Sequence, residues 1–467
     1  MNGVKSDAGE LRTESDSLGS IELPAGALYG AQTQRAIENF PLSGRTMPEG
    51  FVRALLLLKR AAATANQNLE RLDESEATAI RLAVDQLLDD PQLMRHFPVD
   101  VYQTGSGTSS NMNANEVVAR LAHQLSRCAV HPNDHVNFGQ SSNDVVPSCI
   151  HISALMALRE QLMPALDGLR DAITQRADEL GDIVKTGRTH LMDAMPLRFD
   201  QSLGAWTGQL GSARKRLVAL EPSLATLAIG GTAVGTGINT DPRFAKTVCD
   251  ALQERTGLPF RCSDNPAMLM SAQDTAVALS GELRTLATAL MKICNDLRWM
   301  NSGPLSGLGE ITLPILQPGS SIMPGKVNPV IPEAVAMICA RVSGNDTTIM
   351  IGGQSGNFEL NVMLPVIADA VLESITLLAA GMNALTEKAI RGFSVNTDNI
   401  HAGLQRNPIL VTALNPVIGY AKAAAIAKKA YAEKRSIIDV AAEETDLPKD
   451  ELLTLLNPAK LTEGGLS

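Results

Sequence analysis

Ala276-Val277-Ala278-Leu279 opens an apolar run that Leu283, Leu286, Ala287 and Leu290 continue at helical spacing. Its apolar residues fall on more than one face, so the helix they predict must be buried on several sides. The same period, carried by Ala, Leu, Met, Val, Glu and Arg, recurs in Asn113 to Ser126, Val145 to Leu180, Gln201 to Leu220, Ala267 to Trp299, Pro332 to Val342 and Asn361 to Ala389. A first long helix is expected from Phe51, where Val52, Leu55, Leu56, Leu58, Ala61, Ala62, Ala65 and Leu69 repeat. Pro147 and Pro164 should kink or break the long segment they interrupt. Runs with period-two alternation are hard to find. The chain therefore reads as mainly α, with a long central helical bundle thick enough to be shared between subunits.

Outward from that bundle the pattern weakens at both ends. Met1 to about Ser15 is expected to be loosely attached or disordered, and Gly19 to Pro41, rich in Gly and Pro, to be irregular. After about Asn396 the helices shorten around Pro408, Pro416 and Pro448. Three domains result: 1–140 N-terminal, mixed but mostly helical; 141–396 the central long-helix bundle; and 397–467 a small C-terminal helical domain. The formal charge of −10, the 3% of aromatic residues and the lack of a basic run speak against nucleic acid as a partner. No apolar h-region opens Met1 to Ser20, and no uninterrupted apolar span reaches bilayer length, so neither secretion nor a membrane is expected. The six cysteines are scattered and never form C-x-x-C, as in the reduced core of a cytoplasmic protein.

Chemistry concentrates where polar clusters precede long helices. Gly105-Ser106-Gly107-Thr108-Ser109-Ser110-Asn111 leads into one, Gly139-Gln140-Ser141-Ser142-Asn143-Asp144 into a second, and Gly319-Ser320-Ser321-Ile322-Met323-Pro324-Gly325-Lys326-Val327-Asn328-Pro329 into a third. Helix N-termini offer unpaired N–H groups and partial positive charge, so three such loops suit one small anion, although each alone also fits ordinary capping. His190, in Gly187-Arg188-Thr189-His190-Leu191-Met192-Asp193-Ala194, stands among polar residues. With a carboxylate such as Glu333 beside it, it would be an acid/base group near neutral pH. His131 and His135 invite a metal reading, but Pro132-Asn133-Asp134 between them makes a turn and H-E-x-x-H is missing, so no metal is expected. Gly230 to Gly237 lacks the G-K-[ST] of a phosphate cradle and reads as a tight loop, so no cofactor is expected either.

In order along the chain, these motifs resemble the fumarase/aspartase superfamily of homotetrameric lyases, from Gly30-Ala31-Gln32-Thr33-Gln34-Arg35 through Gly231 to Asn239, Ser302 to Asn328 and Gly356 to Asn361, to Ala413-Leu414-Asn415-Pro416. Within it the chain is similar to class II fumarases, because His190 stands where aspartases carry Gln, and His131-Pro132-Asn133-Asp134 where at least some begin with Asn. The resemblance implies a three-domain subunit and a homotetramer whose sites each draw on three chains. It implies fumarate hydratase activity, the reversible anti elimination of water from (S)-malate to fumarate in the tricarboxylic acid cycle, independent of metal. By position it makes Ser320 the base at C3, and His190 with Glu333 the pair that handles the departing hydroxyl. Substrate binding would fall to Ser106, Gly107, Thr108, Asn111, Ser141, Ser142, Asn143, Thr189, Ser321, Lys326, Val327 and Asn328. His131, Pro132, Asn133 and Asp134 would form a secondary dicarboxylate site. A serine alkoxide needs an electropositive, water-poor pocket, so closure of the Ser320 loop is expected to be part of activation.

The chain departs from the family pattern at Leu305, at Asp200-Gln201-Ser202, and at Phe138-Gly139 and Val145-Val146, which flank the Ser-Ser-Asn-Asp motif. Two other readings stand beside the first. An aspartate ammonia-lyase, or a lyase of another 2-substituted succinate, would suit Arg35-Ala36-Ile37-Glu38-Asn39-Phe40, while His190 speaks against it. A non-catalytic structural protein on the same scaffold is opposed by Ser320, Lys326, Asn328, Thr108 and His190 standing together.

Overall fold

Helices carry most of the chain in the computed structural model, which describes residues 10–465. In order they are α1 Ala31–Asn39, α2 Glu49–Asn68, α3 Glu74–Asp89, α4 Thr108–Ser126, α5 Ser142–Ala157, α6 Met163–Leu180, α7 Phe199–Leu224, α8 Phe244–Thr256, α9 Pro266–Ser271, α10 Asp274–Met300, α11 Val330–Gly353 and α12 Leu364–Leu385. The shorter α13 Thr397–Gln405, α14 Asn415–Ile418, α15 Tyr420–Glu433, α16 Ile437–Glu444 and α17 Lys449–Leu455 follow. The strands are short and pair two by two. The longest are β1 Leu11–Asp16 with β2 Gly19–Pro24, and β3 Val184–Thr189 with β4 Met192–Arg198, both antiparallel.

Local sequence explains where helices start. Asp73 and Glu76 form a reciprocal capping box at α3, and Ser141 and Asp144 do the same at α5. The run expected over Ala267 to Trp299 divides at Ala272-Gln273 into α9 and α10. Pro147 stays inside α5, and the joint before Pro164 is a π-helical turn, Leu158–Leu162, so the regular α-helical hydrogen bonding of the long segment is interrupted there.

By internal packing the chain forms two compact units. One comprises the chain up to Pro164 with Lys215–Ala287 and Ala340–Ala379; the other comprises Ala165–Arg214, Thr288–Cys339 and the chain from Ala380. In the first, α2 packs against α3, α5 and α8, with Phe51, Leu55, Leu56 and Leu58 buried. In the second, the C-terminal helices close over Leu410, Leu414, Ile426, Val440 and Leu452.

Three expectations need correction. Residues 11–16 form β1, while the rest of the predicted loose N-terminus, 1–9, lies outside the described residues. The supposedly irregular Gly19 to Pro41 contains β2 and α1. One apolar span, Leu364–Ile390, does reach membrane length, but most of it is buried against its own chain, as in a core helix of a folded domain.

Candidate active site

In the first unit, the loop before α4 is fixed from beneath. A Cβ at Gly105 would lie 1.9 Å from the Val362 carbonyl oxygen, so the two backbones touch, and Leu364 N–H donates to Gly105 O at 3.0 Å. Gly107 is the N-cap of α4 with φ +74°, and no side chain caps that end. Thr108 is therefore free of the capping role; its hydroxyl is 2.8 Å from that of Ser106. Ser110 N–H and Oγ both reach Gln103 Oε1 at 2.9 Å. Plain capping does explain Ser141, whose Oγ accepts from Asn143 N–H at 3.2 Å.

The two predicted loops of this unit meet. Buried Asn111 donates from Nδ2 to Ser142 Oγ at 3.0 Å, and Asn143 Nδ2 donates to Ala233 O at 2.9 Å. Asp144 is fully buried and accepts from the N–H groups of Ser141, Gly230 and Thr232, each at 2.9 Å. Desolvation pushes its carboxyl up to about 6, against the pull of those bonds. The glycine-rich segment is thus a tight loop anchored on Asp144, as its sequence suggested. Lys59 of α2 is also fully buried and donates to Asn137 Oδ1 at 2.9 Å and Gln140 Oε1 at 3.0 Å. Burial brings its ammonium down to about 7.

In the second unit, His190 sits at a hairpin tip, where the expectation was a connector between helices. Thr189 pairs with Met192, and His190 and Leu191 between them have φ +56° and +60°, the backbone of a two-residue primed turn. Both are exposed, as is Thr189. The strands are too polar to show alternation, and a bulge at Gly187 shifts the register. A Cβ at Gly187 would lie 2.5 Å from the Met195 carbonyl oxygen. Across an unbulged strand, positions three apart face opposite sides. With the bulge, Lys185 and Arg188 both reach buried Glu310, at 2.7 and 2.9 Å. Removing one member of such a buried network typically costs about 3–5 kcal/mol, so Glu310 holds the hairpin that carries His190.

The Ser320 loop is held mostly by itself. Ser320 Oγ accepts from Met323 N–H at 3.0 Å and Ile322 N–H at 3.3 Å; Lys326 Nζ donates to Asn328 Oδ1 at 2.8 Å; Asn328 Nδ2 donates to Gly319 O at 2.6 Å. Ser321, Lys326 and Val327 are exposed. Glu333 lies half-buried in the first turn of α11 and, with Lys326, Val327 and Asn328, lines a cavity of about 690 Å³ shared with Arg298 and Asn301. Among the described residues no hydrogen bond or ion pair within this chain joins His190 to Glu333 or to Ser320.

The secondary-site residues form a π-helical turn, Pro132–Val136, in which His131 Nδ1 accepts from Asp134 N–H at 3.1 Å. His131, Pro132 and Asn133 line a cavity of about 570 Å³, whose carboxylates are already engaged: Glu116 takes the N–H groups of Gly30, Gln32 and Thr33, and Asp16 takes Arg35. Among the described residues no three His, Cys, Asp or Glu side chains are placed to hold a metal ion. None of the six cysteines is in a disulfide, four of them are buried, and burial pushes Cys294 up to about 12 and Cys339 up to about 11. The departures are mostly structural: Asp200 pairs with Arg198, Gln201 reaches Thr462 O, and Val146 packs beneath Gly107, while Leu305 is exposed.

A helical lyase scaffold presenting Ser/Thr/Asn loops and a Gly-Arg-Thr-His hairpin is the class these features define. A profile described as "Lyase" matches residues 19–344, and one described as "Fumarase C C-terminus" matches residues 410–463. The chain is 61% identical to fumarate hydratase class II 2 of Pseudomonas aeruginosa, over 98% of this chain and 100% of that one. It is 57% identical to fumarate hydratase class II of Xylella fastidiosa, over 100% and 98%. Its structure is similar to that of a class II fumarase from Schistosoma mansoni, with TM-score 0.94 and 36% identity over 97% and 99% of the two chains. It is also similar to a fumarate lyase:delta crystallin from Brucella melitensis bound to cobalt, with TM-score 0.92 and 41% identity over 97% and 100%. The chain belongs to this lyase family and, within it, to the class II fumarate hydratases.

Proposed function

We propose that the chain catalyses fumarate hydration, the activity for which its family is named, with Ser320 as the base and His190 and Glu333 serving the departing hydroxyl. In the malate-to-fumarate direction Ser320 Oγ, as alkoxide, takes the C3 proton and becomes a hydroxyl. The electron pair passes into the adjacent carboxylate as an aci-carboxylate. That pair then returns to form the C2–C3 double bond as C2–O breaks, the oxygen leaving as water with a proton delivered by His190 and Glu333. The observation that carries this reading is the pair of backbone N–H groups donating to Ser320 Oγ. Hydrogen bonds to a charged form favour that form, so both donors stabilise an alkoxide where a lone serine would not ionise. Lys326 and Asn328 in the same loop, and Thr108, Ser142 and Asn143 elsewhere, are donors suited to the carboxylates. Donors of this kind are typically worth about 2.7–4 kcal/mol each where charge develops.

We also propose a homotetramer with composite sites. This is supported by the lack, among the described residues, of a hydrogen bond or ion pair between His190 and Glu333 within one chain and by apolar residues left exposed along α11, Met337 at 68%, Met350 at 50% and Ile351 at 46%. The three-part division at about 140 and 396 and a cytoplasmic location, which suits cysteines outside disulfides, belong to the same proposal. Fumarate absorbance in the ultraviolet, followed with malate and then with aspartate, tests the activity. Formation from malate and none from aspartate is expected; formation from aspartate alone would contradict it.

A further inference from the structure

Beneath the Ser141-Ser142-Asn143 loop runs a buried chain of hydrogen bonds whose direction can be read from its ends. Lys59 Nζ gives a hydrogen to each of two side-chain oxygens, Asn137 Oδ1 and Gln140 Oε1. Both amides are held the same way round from outside. Gln140 Nε2 donates to Val136 O at 3.0 Å and Phe138 O at 3.2 Å, and Asn137 Nδ2 to Gln140 O at 3.2 Å. Asn137 Oδ1 therefore faces Asn111 as an acceptor, and the Asn111 atom 3.2 Å from it must be the NH₂ group. The same NH₂ meets Ser142 Oγ at 3.0 Å, so that oxygen accepts there. The Ser142 hydroxyl hydrogen is left to point elsewhere, and among the described residues nothing accepts it.

We propose that Lys59 is a positioning residue that, through Asn137 and Asn111, holds Ser142 as a hydrogen-bond donor toward a substrate carboxylate, which rests on Ser142 belonging to the carboxylate site. If the chain ran the other way, Ser142 would spend its hydrogen on Asn111 and present a lone pair to an anion, which repels it. Asn111 Oδ1 is buried and without a hydrogen-bond partner, so nothing on its own side fixes this amide and its direction is set from the Asn137 side. The charged and the neutral amine of Lys59 both carry the two hydrogens required, so the device works on either side of its titration.

The test measures binding of succinate, a dicarboxylate that cannot be hydrated, to the parent protein, Lys59→Met, Ser142→Ala and the double variant, together with steady-state kinetics. Each single variant should bind about tenfold more weakly, the size of one lost hydrogen bond to a charged group. The double variant should bind no worse than the weaker single one, and in Lys59→Met KM should rise while kcat holds within about threefold. Parent-like binding by Ser142→Ala would remove Ser142 from the carboxylate site. Weak binding by Ser142→Ala with parent-like binding by Lys59→Met, losses that multiply in the double variant, or a fall confined to kcat would overturn the role of Lys59. If Lys59→Met does not fold, neutron diffraction on the unaltered protein decides: a Ser142 deuteron directed away from Asn111 supports the proposal, and one directed at Asn111 overturns it.

Discussion

The loops at 105–111 and 141–144 and the loop at 319–328 share a composition of Ser, Asn and Gly before a long helix, yet they are held differently. The first two are tied to other parts of the fold through Val362, Ala233, the 230–232 loop and buried Lys59. In the third, every hydrogen bond named above closes within the loop, and Ser321 and Lys326 are exposed. The difference teaches a division of labour. In the proposed site the carboxylate donors of the first two loops are fixed before substrate arrives, so little ordering entropy is lost in binding to them, while Lys326 and Asn328 come with the third. The proposed base sits on a segment free to close, so the water-poor surroundings an alkoxide needs are assembled only around substrate.

The largest effect expected is at the base. Ser320→Ala should lower malate turnover by about a thousandfold or more while succinate binding stays within about threefold, since in the proposed mechanism its hydroxyl moves a proton and does not anchor a carboxylate. Near-parent turnover would erase the distinction between the two regions. A matched pair of glycines sharpens it. A Cβ at Gly105 would strike the Val362 carbonyl at 1.9 Å, and one at Gly319 the Lys326 carbonyl at 1.8 Å. Gly105→Ala should lower the melting temperature, because it pries apart distant segments, whereas Gly319→Ala should spare it and cut kcat by about tenfold or more. Equal loss of stability in both would mean that the third loop is as integral as the first.

The smallest effect concerns pH. Burial lowers the Lys59 pKa from 10.5 to about 7, so the folded state prefers the neutral amine. The Lys59 contribution to stability is therefore full above about pH 10.5 and is lost as pH falls toward 7. Melting temperatures of Lys59→Met should gain on the parent as pH is lowered through that window; a difference independent of pH would show that the buried amine is not titrating there.

Much of this was legible in the sequence. Helical periodicity located the long helices, because a buried stripe repeats whatever packs against it, and the polar clusters marked the loops. The His190 hairpin escaped because Val184 to Thr189 and Met192 to Arg198 are strands with no apolar alternation, turned by two non-glycine residues at positive φ. Lys59 left a faint signal: with Leu55, Ala62 and Asn66 it lies on the buried stripe of α2, where a lysine is out of place without partners. Glu310 left none, because its partners Lys185 and Arg188 are brought together only by the bulge.

Amide hydrogen exchange, run with and without a saturating dicarboxylate, tests the division of labour most directly. Amides of 105–111 and 141–144 should be slow in both states, and those of 319–328 fast in the free protein and slowed by the ligand. A 319–328 loop as protected in the free protein as the other two, or unchanged by ligand, would contradict it.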